Sequence, residues 1–259
     1  MLGLPPGIVA GLFDLDGVLT GTARLHALAW TRMFNDFLQA QAQRSGQPYR
    51  AFEPSDYSSY VDGRPRADGV RVFLASRGIT LPEGCPDDPP ERETVAGLAA
   101  RKNALLLRLI DEQGVTPYPG SVRYLTAARA AGLRRAVVTA SANATQVIRG
   151  AGIAELVEVQ VDGLVAAARG LRGKPEPDTF LAAAADLGVS AAQACVFEDA
   201  IAGVQAGRAG GFGFVVGVDR TAPQRCGPGP GHAEDLYRHG ATLVVSDLAD
   251  LLDAPAVPG

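Results

Sequence analysis

The sequence has little cysteine: its 259 residues include only Cys85, Cys195 and Cys226. Their number is odd, they lie far apart, and none forms a CxxC pair, which argues against a disulfide framework. This usage fits a reducing compartment, and we expect a cytoplasmic protein. Cys195 opens an apolar segment, which predicts a small residue of the hydrophobic core.

Charge of one sign and long apolar runs are also scarce. The net charge is −4 and no basic run occurs, so a nucleic-acid partner is not expected. The first residues lack the positive and apolar regions of a signal peptide. No stretch approaches the roughly 18 uninterrupted apolar residues that cross a membrane. With 47% hydrophobic and 20% charged residues, the composition is that of an ordinary globular protein with one large or two modest domains.

Lysine is the scarcest basic residue. Of 24 basic residues 22 are arginine, and the two lysines are Lys102 and Lys174. A chain with this bias is expected to keep lysine where a compact ammonium is needed and a planar guanidinium does not fit. Neutralising a phosphate in a tight pocket is one such place, and chance is the alternative.

One part of the chain has a purely helical pattern. Residues 23–43 carry apolar side chains at helical spacing, and residues 91–112 again have a single apolar stripe. Between them, residues 44–90 are interrupted by seven prolines and are interpreted as short helices and loops. We therefore predict an inserted all-helical domain at 23–115.

The remaining residues, 1–22 and 116–259, alternate between strand and helix patterns after the turn-rich run GVTPYPG at 114–120. This alternation predicts an α/β domain with a Rossmann-like, doubly wound parallel sheet and helices on both faces. Ligands of such sheets bind at the carboxyl ends of the strands. After a first strand that begins at Ile8, the predicted strands are 135–140, 157–161, 195–198, 212–218 and 241–245; the predicted helices are 121–131, 143–151, 177–187, 200–209 and 248–252; and 221–233 is predicted to be a surface loop.

The first strand runs into the segment FDLDG, in which Asp14 and Asp16 precede Gly17. Because side chains alternate along a strand, both carboxylates leave the sheet on the same side. Two like charges this close are costly unless a cation or a catalytic role holds them there. A turn is the alternative, since aspartates before a glycine are common in turns.

Three further strand ends carry polar groups of a related kind. Thr139 precedes a helix whose N-terminus near Asn143 offers an anion site, Lys174 stands in GKPEPD, and Glu198 and Asp199 stand where a strand meets a helix. Taken singly, they have ordinary explanations as a core hydroxyl, a surface lysine and a helix cap. Together they predict a magnesium site, because an acidic cluster facing a phosphate cradle is how Mg²⁺ is held with its substrate.

This order of motifs resembles the haloacid dehalogenase-like superfamily of phosphotransferases, over nearly the whole chain. The helical insertion after the first motif is typical of members with a helical cap domain. The resemblance implies Mg²⁺ as cofactor and a Rossmann-like catalytic core. The catalytic residues that it implies are Asp14, Asp16, Thr139 and Lys174, and the implied metal ligands are Asp14, the backbone carbonyl of Asp16, Glu198 and Asp199.

Within this superfamily the chain is most similar to the sugar-phosphate mutases, through DLDGVLTGTARLHALAW, DGRPRADGV, RKN at 101–103, TASAN at 139–143 and GKPEPDTF. Both lysines fall on active-site positions of those enzymes. Two residues depart from the pattern: Gly21 replaces an Asp near the hinge, and Ala142 replaces a Lys expected to hold a second phosphate. The substrate-binding residues implied are Thr22, His26, Trp30, Gly63, Arg66, Lys102, Ala140, Ser141 and Asn143.

The resemblance implies phosphoryl transfer on a small sugar phosphate through an aspartyl-phosphate. Asp14 is the expected nucleophile, Asp16 the acid and then the base, and Lys174, Thr139 and Mg²⁺ neutralise charge on the phosphoryl group. Closure of the cap is expected to exclude water. The favoured reaction converts β-glucose 1-phosphate to glucose 6-phosphate in a monomeric enzyme that engages neither nucleic acid nor a membrane.

A phosphatase for small sugar or other metabolite monophosphates is the alternative, because Ala142 departs from the mutase pattern and a fold does not fix a function. Dehalogenation and phosphonate cleavage do not need a second carboxylate, so Asp16 argues against both. A catalytically inactive binding module is disfavoured because the motif residues are intact. His232 and His239 are interpreted as surface residues on loops, too far apart for a metal site.

Overall fold

A computed structural model describes residues 2–46, 48–220 and 231–253. The chain divides into two compact units, which we call the core unit (Met1–Gly21 with Val115–Gly259) and the helical unit (Thr22–Gly114). The domain limits expected from the sequence, 22/23 and 115/116, each lie one residue away. Within the described residues, no helix combines the length and the apolar character that crossing a membrane requires.

The secondary structure follows the predicted alternation in the core unit. The strands are β1 (Ala10–Phe13), β2 (Arg134–Val138), β3 (Val159–Val161), β4 (Ala194–Glu198), β5 (Phe214–Val218) and β6 (Leu243–Val245). The helices are α1 (Ala23–Ser45), α2 (Pro54–Asp56), α3 (Arg66–Ser76), α4 (Val95–Gln113), α5 (Pro119–Ala130), α6 (Ala144–Gly150), α7 (Gly163–Arg169), α8 (Asp178–Asp186), α9 (Ile201–Ala209), α10 (His232–His239) and α11 (Asp250–Asp253). A π-helical turn lies at Tyr57–Val61, and short 3₁₀ helices lie at Ala154–Leu156 and Ala191–Gln193.

The six strands form one parallel sheet in the order β3-β2-β1-β4-β5-β6. Its central strands are apolar and buried along their length, as expected when helices cover both faces of a parallel sheet. Cys195, in β4, is fully buried, which confirms its prediction as a core residue. The sheet and the helices around it confirm the predicted α/β fold class.

The register between β1 and β4 determines which residues meet at the carboxyl edge. Phe13 is the partner of Phe197, and their rings stack with centroids 4.4 Å apart. The Asp14 amide then donates to the Phe197 carbonyl at 2.9 Å. Each strand thus continues past the stacked rings into an acidic residue, Asp14 on one side and Glu198 on the other.

The helical unit has a separate core of aromatic side chains. The Phe34 ring of α1 lies 4.2 Å from the Phe73 ring of α3, 5.1 Å from Phe52 and 5.2 Å from Trp30, centroid to centroid. Helix α1 is capped at its carboxyl end by Gly46, whose left-handed backbone suits a residue without Cβ. Helix α4 is capped at its amino end by Thr94, whose hydroxyl accepts from the Gly97 amide at 2.9 Å.

Two helices, α7 and α10, were not predicted. Among the described side chains α7 buries none and α10 buries only Leu236, so neither helix has a row of buried side chains, and both are short, with seven and eight residues. Helix α10 also corrects the end of the loop predicted at 221–233; residues 221–230, including Cys226, lie outside the described residues. The predicted elements otherwise differ from the observed ones by at most four residues at an end.

Candidate active site

Three carboxylates converge at the carboxyl edge of the sheet. Asp14 follows β1, Glu198 ends β4, and Asp199 comes next along the chain; one oxygen of each lies within 4.8 Å of the other two. Asp14 and Glu198 are buried, whereas Asp199 is half-buried. The sequence had placed these three residues together, and the structure brings them to one point.

Lys174 is the cation of this cluster. Its ammonium donates to Asp14 Oδ1 at 2.5 Å, to the Val138 carbonyl at 3.1 Å and to Glu198. The side chain is 2% exposed, and Nζ also lies 5.0 Å from the centre of the Phe180 ring. An ammonium suits this position because three short bonds converge on a single atom, which a planar guanidinium cannot reproduce.

The electrostatics of the cluster favour the cation and disfavour the nearest anion. Burial raises the pKa of Asp14 well above its ordinary value, the charges of Glu198 and Asp16 raise it further, and Lys174 opposes them. Burial by itself would lower the pKa of Lys174, but Asp14 and Glu198 raise it above the ordinary value. Lys174 is therefore charged at neutral pH, and Asp14 ionises against an excess of negative charge.

The donor set fits a hard divalent cation. The cluster has three carboxylates and one ammonium, which contacts two of them, so negative charge exceeds positive charge. Carboxylate oxygens are the ligands that Mg²⁺ prefers, and it commonly keeps several waters as well. A divalent ion beside Asp14, Glu198 and Asp199 would offset the excess charge that raises the pKa of Asp14.

Asp16 and Thr139 form a second part of the site. The Thr139 hydroxyl donates to Asp16 Oδ2 at 3.3 Å and accepts from the Ser141 amide at 3.1 Å. The Ser141 hydroxyl in turn accepts from the Asn143 amide at 3.2 Å. Ala140, Ser141 and Asn143, predicted to bind substrate, thus belong to one loop, in which the amides of Ser141 and Asn143 donate to hydroxyl oxygens.

Two glycines leave the room that the carboxylates occupy. Gly17 has a φ of +98°, and a Cβ at this position would lie 1.8 Å from Asp199 Oδ2. In α9, a Cβ on Gly203 would lie 1.9 Å from Glu198 Oε1. Only glycine fits at either position without moving a carboxylate.

Some residues at this edge were missed or misassigned. His232 lies on α10, not on a loop, with Nε2 2.7 Å from the Asp199 carbonyl oxygen, and His239 closes the same helix. Asp219 accepts from the Ala233 amide at 3.1 Å. Arg220 follows it and donates to the carbonyl of Gly17 at 2.9 Å. Asp219 and Arg220 come directly after β5, so the rule that ligands bind at strand ends would have indicated both.

The helical unit contains a polar cluster of its own. Lys102 of α4 is 1% exposed, and its Nζ lies 3.1 Å from His26 Nδ1 and 5.2 Å from the centre of the Trp30 ring. The structure therefore brings together three of the predicted substrate-binding residues. The others of this unit occupy separate positions: Thr22 precedes α1, Gly63 lies before α3, and Arg66, whose pKa is lowered by burial, opens α3.

Known proteins resemble this chain over most of its length. A family model described as haloacid dehalogenase-like hydrolase matches residues 9–211. The β-phosphoglucomutase of Mycobacterium bovis is 50% identical over 253 residues, covering 97% of this chain and 94% of that protein. Hexitol phosphatase A of Escherichia coli is 29% identical over 82% of this chain and 83% of its own length. The crystal structure of β-phosphoglucomutase from Clostridium difficile superposes with a TM-score of 0.70 at 27% identity, covering 94% of this chain and 93% of that one.

Proposed function

The chain belongs to the haloacid dehalogenase-like hydrolase family, and from this premise we propose that it converts β-glucose 1-phosphate to glucose 6-phosphate, as a β-phosphoglucomutase does. The observation that carries phosphoryl transfer is the ammonium of Lys174 between the carboxylates of Asp14 and Glu198. The choice of a mutase is supported by 50% identity to a protein of that name over almost the whole chain.

Asp14 is the proposed nucleophile. Its Oδ1 accepts a hydrogen bond from the Lys174 ammonium. The carboxylate attacks phosphorus, the bond from phosphorus to the sugar oxygen breaks, and an aspartyl-phosphate forms. From a bisphosphorylated sugar the phosphoryl group on the C1 oxygen is transferred in this way, and glucose 6-phosphate leaves. In the second half-reaction the 6-hydroxyl of an incoming β-glucose 1-phosphate attacks the aspartyl-phosphate, which frees Asp14 and forms the bisphosphate again. A bisphosphorylated sugar is thus the species that turns over between the two halves.

Asp16 is the proposed acid and base. It gives a proton to the departing sugar oxygen and removes one from the incoming hydroxyl. The Thr139 hydroxyl, 3.3 Å from Asp16 Oδ2, and the positive charge of Lys174 stabilise the transferring group. Mg²⁺, held by Asp14, the Asp16 carbonyl, Glu198 and Asp199, would neutralise charge on that group when bound.

The helical unit is proposed to recognise the sugar phosphate. Lys102 and His26 present a buried polar pair, and Arg66 adds a second cation that opens α3. Binding of the substrate's second phosphate by these residues would retain the bisphosphate and exclude water, which separates a mutase from a hydrolase. The expected monomeric state and cytoplasmic location stay predictions.

A phosphatase is the second candidate function. Ala142 lies in the loop after β2 where the mutase pattern has lysine, which removes one cation from the expected phosphate site. A relative named hexitol phosphatase A matches this chain over 83% of the length of that relative. A phosphatase would use the same Asp14 chemistry but would pass the phosphoryl group to water.

The deciding experiment is ³¹P NMR of β-glucose 1-phosphate with the enzyme, Mg²⁺ and a trace of β-glucose 1,6-bisphosphate. We expect glucose 6-phosphate to appear, and Asp14→Asn, which keeps the size of the side chain, to give none. Release of inorganic phosphate alone would establish the phosphatase. Absence of any change with this substrate or with acetyl phosphate would overturn phosphoryl transfer.

A further inference from the structure

Arg220 ties three distant segments of the core unit together beside the catalytic loop. Its Nε donates to the Gly17 carbonyl at 2.9 Å, and its Nη2 donates to the Val18 carbonyl at 3.0 Å. Nη2 also donates to Ser121 Oγ at 2.9 Å, and Nη1 donates to Asp247 Oδ2 at 2.6 Å. The guanidinium thus joins the loop after β1 to the start of α5 and to the loop after β6.

The ring of Tyr118 stacks on the guanidinium of Arg220 and fixes the orientation of its plane. Its Cζ lies 3.7 Å from the centre of the Tyr118 ring, a stacking that arginine makes better than lysine. With the plane fixed, two N–H groups meet two successive carbonyls, which sets the orientation of both peptide units. Arg220 is thereby adapted to hold the backbone of Gly17 and Val18.

Arg220 acts as a clamp on the loop after β1 through its hydrogen bonds to the Gly17 and Val18 carbonyls. The surroundings of this clamp are closely packed. The Ser121 hydroxyl donates to the same Val18 carbonyl at 2.7 Å. A Cβ on Gly120 would lie 1.7 Å from Asp247 Oδ1, so α5 approaches Asp247 as closely as a backbone can. These contacts leave Arg220 little freedom to release the loop.

We propose that Arg220 is a positioning residue that holds Asp16 in the orientation needed for proton transfer. Asp16 immediately precedes Gly17, whose positive φ of +98° belongs to a backbone that glycine samples widely. Without the clamp, the loop gains freedom at the residue next to the acid, and proton transfer requires close alignment. The inference rests on the proposed function, in which Asp16 is that acid.

The test compares two phosphoryl donors in single turnovers with Mg²⁺-loaded enzyme in excess. Acetyl phosphate releases acetate, which leaves without a proton, whereas β-glucose 1,6-bisphosphate releases a sugar oxygen that needs one. For Arg220→Met we expect consumption of the bisphosphate to slow by about 30- to 100-fold, and consumption of acetyl phosphate by no more than about threefold. Asp16→Asn should show the same selectivity, and the double variant should lose little more than Asp16→Asn alone.

Arg135→Met is the matched control, because Arg135 is a buried arginine of the same unit that donates to the carbonyls of Leu133 and Leu156. It lies near the start of β2, at the opposite edge of the sheet, and should lower the melting temperature without changing the ratio of the two rates. Arg220→Lys, with one ammonium for two carbonyls, should restore only part of the rate with the bisphosphate.

Equal losses on both donors in Arg220→Met, or full additivity with Asp16→Asn, would overturn the positioning role while leaving the proposed function intact. If Arg220→Met does not fold, Asp247→Asn carries the same comparison, with a smaller loss in the same direction expected and equal losses contradicting it. A wild-type enzyme inactive on both donors, or an Asp16→Asn variant without selectivity, would overturn the proposed function and this inference with it.

Discussion

The two lysines of the chain lie one in each unit, and their surroundings differ. Lys174 of the core unit contacts two carboxylates, those of Asp14 and Glu198. Lys102 of the helical unit is as deeply buried, but the contacts described above join its ammonium to an imidazole nitrogen and to the face of the Trp30 ring. A chain that otherwise uses arginine thus keeps lysine for two different environments.

The difference lies in the chemistry of these contacts. A buried ammonium is unfavourable unless its surroundings stabilise the charge. Around Lys174 two carboxylates do so, in the cluster proposed to bind the transferring phosphoryl group. Around Lys102 an imidazole nitrogen and the face of an aromatic ring are among the contacts, and both accept a cation. We therefore expect changes in the core unit to affect transfer from every donor, and changes in the helical unit to affect recognition of the sugar phosphate.

The largest effect is expected for Asp14→Asn. An amide is not a nucleophile toward phosphorus, so single-turnover consumption of both acetyl phosphate and the sugar bisphosphate should fall by at least about 1,000-fold. A variant that keeps a tenth of the rate would refute Asp14 as the nucleophile. Asp36→Asn, an equivalent change on α1 in the helical unit, is the control and should leave the acetyl phosphate rate unchanged.

The same substitution should stabilise the fold without metal. Because burial raises the pKa of Asp14 in the folded state above its ordinary value of 3.8, stability from its protonation is present at low pH and is lost as pH rises through the folded pKa. In EDTA at pH 7, Asp14→Asn should therefore melt above the wild type, by roughly 2–4 °C for each kcal/mol. The difference should vanish below the unfolded pKa, and urea unfolding across pH measures it. A wild type that melts higher at pH 7 would contradict this.

The next largest loss of the phosphoryl-transfer rate is expected for Lys174→Arg. The charge is kept, but three bonds that now converge on Nζ cannot be made by a planar fork in the same buried space. Rates with both donors should fall by about 100-fold or more. A rate within threefold of wild type would show that any cation suffices, and the rarity of lysine would then be without functional meaning at this position.

Gly203→Ala should weaken the metal site by about tenfold. The new Cβ would meet Glu198 Oε1 at 1.9 Å, so the carboxylate must move. Calorimetric titration with Mg²⁺ measures the affinity. Gly207→Ala on the same helix is the matched control, since the nearest atoms to its Cβ would belong to the side chains of Val215 and Val196, at 3.2 Å or more. It should alter stability and leave Mg²⁺ affinity unchanged. Equal affinities in both variants would remove Glu198 from the metal site.

The core motifs were predictable because a parallel sheet gathers strand ends at one edge. Asp14, Thr139 and Glu198 each follow or end a strand with an apolar sequence, so recognising the strand was enough to place the residue. Lys174 was predicted at a strand end, and that placement is wrong, because it lies on the loop between α7 and α8. The residue was found nevertheless because its motif stands in order with the others.

The contacts of Arg220 and His232 were out of reach for a physical reason, although the position of Arg220 just after β5 was not. Their roles depend on contacts with Gly17 and Asp199, which are more than 30 positions away in sequence. No local periodicity encodes such contacts. Helix α10 was missed as well, because it buries a single described side chain. A prediction from hydrophobic spacing depends on several buried side chains that recur at helical intervals.

In the helical unit, Lys102→Met should act on recognition. Removing a charged hydrogen-bonding group from a phosphate site removes about 1.5–3 kcal/mol, or about 10- to 150-fold in KM for β-glucose 1-phosphate. Acetyl phosphate consumption should stay within about twofold. Arg101→Met is the neighbouring control, because Arg101 donates to the Pro90 carbonyl at 2.7 Å. If Lys102→Met, but not Arg101→Met, lowers the rate with acetyl phosphate, then the helical unit also contributes to phosphoryl transfer and its role is not limited to recognition of the sugar phosphate.

The smallest effect is expected for Gly69→Ala on α3, the helical unit's counterpart of Gly203→Ala. Its Cβ would lie 3.3 Å from the Trp30 ring and 3.3 Å from Val61, close enough to displace the ring by a few tenths of an ångström. Alanine favours helix over glycine by about 1 kcal/mol, which offsets the tighter packing, so the unfolding free energy should change by less than about 1 kcal/mol.

Trp30 is the only tryptophan of the chain, so its fluorescence reports on this displacement directly. We expect a shifted emission and about a twofold rise in KM for the sugar phosphate, because Lys102 lies over the same ring. Mg²⁺ affinity and acetyl phosphate turnover should match the wild type. Two changes of the same kind would then give different results: Gly203→Ala would lower the affinity for Mg²⁺, and Gly69→Ala would raise KM for the sugar phosphate. Loss of Mg²⁺ affinity in Gly69→Ala would contradict the separation of the two lysine environments on which that contrast depends.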